Sequence, residues 1–166
     1  MKIIFLDIDG VLNCQNFLIN RYQEVIKFNS NCNIKNEKLK HTKIQLMDID
    51  YKKLRLLKEI IDITNSKIVI ISSWKSLVTF SYIKQILIAL GIPIIDVTND
   101  NLFNRGEGIK RYLLENEITN YIIIDDEIFD DYDEILLSRL IKTNFYEEGL
   151  TEEHKNKAIK LLKKHI

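Results

Sequence analysis

Two aspartates spaced two residues apart, Asp7 and Asp9, close the apolar run Ile3 to Leu6 in "IIFLDIDGVLN". Carboxylates beside a buried strand cost free energy unless something pairs with them. Three other stretches supply candidates. Ile68 to Ile71 runs into Ser72 and Ser73, Tyr121 to Ile124 runs into Asp125 and Asp126 with Asp130 shortly after, and "NRGEGIK" puts Arg105 at a helix start. If the polar ends of neighbouring strands about 4.8 Å apart converge, the acids cannot all stay bare anions in one small volume. A divalent cation resolves the conflict, and hard oxygen ligands from Asp7, Asp9, Asp125, Asp126 and Asp130 suit Mg²⁺. Next to a bound cation a carboxylate stays ionised and can act as a nucleophile, a role for Asp7, while Asp9 handles the proton. The Ser72 hydroxyl and the forked Arg105 cation suit the non-bridging oxygens of a phosphoryl group. Ser73 is the alternative hydroxyl, since either serine could instead cap the turn that follows. Gly10 lets the chain turn tightly beside the phosphate.

These residues need a scaffold that brings strand ends together. Short runs rich in isoleucine and valine recur at Ile3 to Leu6, Ile68 to Ile71, Ile92 to Val97, Tyr121 to Ile124 and Leu140 to Phe145, and read as strands buried on both faces. Helix-period segments lie between them at Tyr51 to Thr64, Ser81 to Leu90 and Gly108 to Asn116, with a further helix after Thr151. Alternating strands and helices predict an α/β fold with a parallel five-stranded sheet, helices on both faces and ligands beyond the carboxyl ends of the strands. Residues 14–49 break the alternation. Phe17, Leu18, Tyr22, Val25 and Ile26 predict one helix, followed by a polar loop, "NSNCNIKNEKLKHTK", as an insertion over one end of the sheet.

With 166 residues, 46% of them hydrophobic, the chain fits one domain with an ample core. Lys and Arg total 24 and so do Asp and Glu, which leaves no net charge to recruit nucleic acid or an anionic membrane. Contacts to a polyanion would have to come from local lysines such as Lys38, Lys40, Lys43 and Lys75. Cys14 and Cys32 fit neither a disulfide framework nor a zinc site, so a reducing cytoplasm is expected. No stretch is long and apolar enough for a membrane span or an export signal, and nothing points to a protein partner.

The motifs and their order resemble the haloacid dehalogenase (HAD) superfamily of phosphohydrolases. "DIDGV" looks like its first motif, which implies Asp7 as the nucleophile that forms an aspartyl-phosphate and Asp9 as general acid/base. "VIISS" is similar to the second, with Ser72 binding phosphate. "RGEGIK" stands in the place of the third, where Arg105 takes the role of the usual cation and Lys110 is the fallback. "IIIDD" followed by Asp130 looks like the fourth, with Asp126 foremost as metal ligand and Asp125 in support. More narrowly, "DGVLN", "IISSWK", "RGEGIKRYL", "YIIIDDE" and "EGLTEEHKNKAIKLL" together resemble the HAD domain of Swiss Army Knife RNA repair proteins. The resemblance implies a single Rossmann-like HAD domain over residues 1–166, with a small or absent cap formed by the flap at 14–49. It also implies Mg²⁺ as cofactor and a phosphorylated substrate such as a nucleotide or a nucleic-acid end.

Two other functions use similar residues. A receiver-like phosphoacceptor module also has an acidic pair on a parallel sheet, but it carries its acceptor on the third strand, where this chain has Asp96 inside an apolar run. A degenerate phosphate-binding domain would not need every chemical role filled. Trp74, at a strand-to-helix junction, reads as packing, with stacking on a base or sugar as the alternative.

Overall fold

A computed structural model describes residues 1–100 and 104–163. Its five strands are β1 (Lys2–Leu6), β2 (Lys67–Ile70), β3 (Ile94–Val97), β4 (Asn120–Asp125) and β5 (Leu140–Lys142). All pair in parallel, in the order β3-β2-β1-β4-β5. The helices are α1 (Gln15–Asn31), α2 (Glu37–Leu46), α3 (Tyr51–Thr64), α4 (Phe80–Ala89), α5 (Arg105–Glu115), α6 (Glu134–Arg139) and α7 (Glu152–Lys163). A short 3₁₀ turn spans Ser73–Ser76.

Successive strand residues point to opposite faces, and both faces are covered. Ile4, Leu6, Ile68, Ile70, Ile122 and Ile124 pack with Leu57 and Ile60 of α3, Ile83 of α4 and Leu162 of α7. Ile3, Phe5, Val69 and Ile123 pack with Ile109 and Tyr112 of α5 and Leu136 of α6. This double burial explains why β1, β2 and β4 read as unbroken apolar runs; the edge strand β3, expected to be buried on both faces, instead leaves Ile95 and Asp96 exposed.

Several elements differ from the sequence expectation: β3 begins at Ile94 rather than Ile92, α6 is a helix that the apolar pattern does not predict, and three further differences concern β5, α5 and residues 14–49. Strand β5 ends at Lys142: Thr143 N–H still donates to the Asp125 carbonyl at 2.9 Å, while its hydroxyl donates to the Gly10 carbonyl at 2.8 Å. Helix α5 begins three residues earlier than its apolar pattern, at Arg105. Its glycines obscure that start while serving packing: a Cβ at Gly106 would lie 2.7 Å from the Asp131 carbonyl oxygen, and one at Gly108 would lie 2.5 Å from Asp100 Cβ. The third difference is in residues 14–49, where the polar stretch is a second helix rather than a loop. Asn36 caps α2 by accepting from Leu39 N–H at 3.1 Å, and Glu37 and Lys43 suit its two ends. Only Thr42 of α2 is buried, so a hydrophobic pattern could not reveal it. The Lys38 ammonium lies over the Tyr82 ring and that of Lys43 over Phe28.

Candidate active site

Strand β1 sits between β2 and β4, so the chain winds outward in one direction through β2 and β3 and in the other through β4 and β5. The crevice beyond the carboxyl ends of β1 and β4 is the place where such sheets take ligands. Asp7 directly follows β1 and Asp125 is the last residue of β4, whose neighbour Ile124 is paired with Leu6. One carboxylate oxygen from each of Asp7, Asp125 and Asp126 lies within 4.8 Å of the others, the only such acidic group among the described residues.

Arg105 is the first residue of α5 and only 6% exposed. Its Nη1 donates to Asp125 Oδ2 at 2.6 Å and to Asp7 Oδ2 at 3.2 Å, and the Phe129 ring covers the guanidinium at 4.3 Å. Burial alone would lower its pKa, but the charges of Asp7 and Asp125 overcome this and raise it. Tyr132 donates to the same Asp125 oxygen at 3.3 Å, and burial together with that carboxylate raises the phenol pKa. Asp7 is fixed by Ile8 N–H, which donates to its Oδ1 at 2.9 Å.

One guanidinium does not balance three carboxylates. Burial and the Asp7 charge push the Asp125 pKa up to about 7, against the pull of Arg105. The same two causes, with Glu127, push Asp126 up to about 6. The cluster is short of positive charge and built of hard oxygen donors, which suits a divalent cation. Asp126 can approach because residue 10 is glycine: with φ of +69°, a Cβ there would lie 2.2 Å from Asp126 Cγ.

Asp9 stands apart from the three. Its Oδ1 accepts from Asn13 Nδ2 at 2.9 Å and its Oδ2 from Trp74 Nε1 at 2.9 Å. Asn13 in turn accepts from Gly10 N–H at 2.9 Å, closing the loop on itself. Trp74 is buried, as a packing residue would be, and it also orients an acid of the site. Ser72 is fully buried and its Oγ caps Trp74 N–H at 3.4 Å, whereas Ser73 is exposed and lines the cavity. Ser73 thus lines the cavity, while Ser72, the residue favoured from sequence, is buried beside it.

Lys110 and Asp130 do not join the cluster. Five residues along a helix amount to about 140° of rotation, which carries Lys110 off the face that Arg105 occupies. Its Nζ instead meets the Asp131 carbonyl and Asp133 Oδ2, each at 3.1 Å. Asp130 is exposed, in the loop whose Phe129 turns in to cover Arg105. Lys75 is also occupied: its Nζ donates to Thr98 at 3.0 Å and Asp100 at 2.7 Å. It ties the turn after β2 to the segment before α5.

Asp7, Asp9, Ser73, Arg105 and Asp126 share one cavity of about 610 Å³ with Leu18, Glu127, Phe129, Phe145 and Tyr146. Asn13, Phe129, Tyr132 and Tyr146 were not legible as site residues. Tyr132 and Phe129 sit in the acidic stretch "DEIFDDYDE", where the aspartates rather than the aromatics draw the eye.

Strand order, acidic cluster and buried guanidinium together define an α/β protein with a group of carboxylates around one arginine at the switch point of its sheet. The chain belongs to the family described as the HAD domain in Swiss Army Knife RNA repair proteins, which it matches over residues 3–155. Among curated proteins and among solved structures, none matches.

Proposed function

We propose that this chain is a Mg²⁺-dependent phosphomonoesterase that works through a phospho-aspartate at Asp7. The observation that carries this reading is the convergence of Asp7, Asp125 and Asp126 within 4.8 Å, with Arg105 bridging two of them. Asp7 and Asp126, backed by Asp125, would hold the cation, which would offset negative charge on the phosphoryl group. Arg105 and Ser73 donate to the non-bridging oxygens. An Asp7 oxygen attacks phosphorus and the bond to the leaving oxygen breaks. Asp9 gives that oxygen its proton. Water then attacks the phosphorus of the acyl phosphate; Asp9 takes the water's proton, and inorganic phosphate leaves with the Asp7 carboxylate restored.

The receiver-like alternative is disfavoured by topology. A receiver of the flavodoxin-like kind has the order 2-1-3-4-5, with its third strand beside the first. Here β3 is an edge strand and β4 lies beside β1. The family's link to RNA repair and the open cavity favour a nucleotide or a nucleic-acid end as the phosphorylated substrate. Hydrolysis of p-nitrophenyl phosphate with and without Mg²⁺ tests the reaction: activity that needs the metal is expected, and full activity in excess EDTA would exclude this mechanism.

A further inference from the structure

The loop that follows β5 carries an unexplained surface aromatic. Tyr146 is 73% exposed, yet it lines the same cavity as Asp7, Asp9 and Arg105. An exposed tyrosine on a mobile loop would mean little. This loop is tied to the catalytic loop at several points.

The Thr143 hydroxyl donates to the Gly10 carbonyl at 2.8 Å, Leu150 N–H to Val11 O at 3.0 Å, and Gln15 N–H to Phe145 O at 2.8 Å. Asn144 closes the turn from within, accepting from Tyr146 N–H on its side chain and from Gly149 N–H on its carbonyl, both at 3.0 Å. Gly149, at φ +65°, lets the chain pass so close that a Cβ would lie 2.7 Å from the Asn13 carbonyl oxygen. The same residues 10 and 13 form the hydrogen-bonded loop that holds Asp9. Phe145 meets Tyr146 edge to face, with ring centres 5.4 Å apart at 82°. That contact sets the Tyr146 ring nearly perpendicular to Phe145 instead of parallel to it.

We propose that Tyr146, braced by Phe145, is a stacking platform for the nucleobase attached to the phosphate that Asp7 attacks. The inference rests on the phosphatase reading and adds a substrate requirement to it: a base next to the scissile phosphate. A rigid aromatic face gains from any base because every base has a π-face, and it gains little from an aliphatic sugar phosphate. Stacking also suits a chain with no net charge, which cannot rely on a general attraction for the phosphate backbone. A platform fixed in place before binding loses little entropy when the base lands on it.

The test compares two oligonucleotides that carry the same terminal phosphate, one on a normal nucleotide and one on an abasic nucleotide, with p-nitrophenyl phosphate to register the chemistry itself. The wild-type protein is expected to favour the base-bearing end by at least about tenfold in kcat/KM. Tyr146→Ala should abolish most of that preference by slowing the base-bearing substrate about tenfold and the abasic one less than about threefold; Tyr146→Phe, which keeps the ring, should retain it. Equal kcat/KM for the two ends in the wild type, or an equal loss on both in Tyr146→Ala, overturns the stacking site while leaving the phosphatase standing. Failure to hydrolyse even p-nitrophenyl phosphate with Mg²⁺ overturns the phosphatase reading, and the platform with it.

Discussion

At the scale of single residues, Asp9 is the acid whose orientation is most tightly specified. Both its oxygens accept hydrogen bonds, from Asn13 and from the Trp74 indole. Proton donation matters most when the leaving oxygen is a poor leaving group. Asp9→Asn is therefore expected to lose far more activity on alkyl phosphates than in the first step on p-nitrophenyl phosphate. Trp74→Phe keeps an aromatic, though smaller, side chain and removes the N–H, so it should show the same pattern more weakly. Single-turnover kinetics on both substrates check this, and equal losses on the two would tell against the proton role. Arg105 bears on stability as well as on binding. Arg105→Met leaves Asp7 and Asp125 buried without their partner, a change expected to cost about 3–5 kcal/mol in metal-free protein by denaturant unfolding. A loss under about 1 kcal/mol would mean the carboxylates do not depend on it.

At the scale of elements, the loops after β1 and β5 act as one unit. Gly149→Ala places a side chain against the Asn13 carbonyl and forces an L-residue to adopt φ +65°. It is expected to cost about 1–3 kcal/mol and to lower turnover, because the same shift disturbs the loop that holds Asp9. Unchanged melting and turnover would show the two loops to be independent. Strands β1, β2 and β4 were legible because burial on both faces leaves an uninterrupted apolar run, and the polar residues at their ends stand out against it. Helix α2 was not, because Thr42 is its one buried residue and its anchors are a cap, Leu46 at its last position against the core, a Thr79–Gln45 hydrogen bond and lysine–aromatic contacts. Arg105 was legible from its place at a helix start, whereas the inward face of Ser73 depends on which serine the 3₁₀ turn consumes as a cap. Tyr132 and Asn13 reach the site only through the folded path of their loops, which no spacing rule encodes.

At the scale of the whole molecule, the proposed metal site would couple cation binding to stability. The pKa values of Asp125 and Asp126 are raised to about 7 and about 6, so their protonated forms stabilise the metal-free fold at low pH. That contribution is fully present below about pH 4, the ordinary carboxylate range, and is lost as pH rises through those raised values. On the proposed reading Mg²⁺ would bind the ionised carboxylates, so the stabilisation it gives should grow with pH. Thermal melting in EDTA and in Mg²⁺ should show a larger metal shift at about pH 8 than at about pH 5. An equal shift at both would mean that these carboxylates are not the ligands.

The most direct measurement of the central claim is peptide mass spectrometry on protein acid-quenched during turnover with Mg²⁺. A phosphoryl group on Asp7 is predicted, absent when EDTA is added first and absent from Asp7→Asn, which should fold but not turn over. Turnover by Asp7→Asn within about tenfold of wild type, or a phosphoryl group found on another residue, would contradict the account.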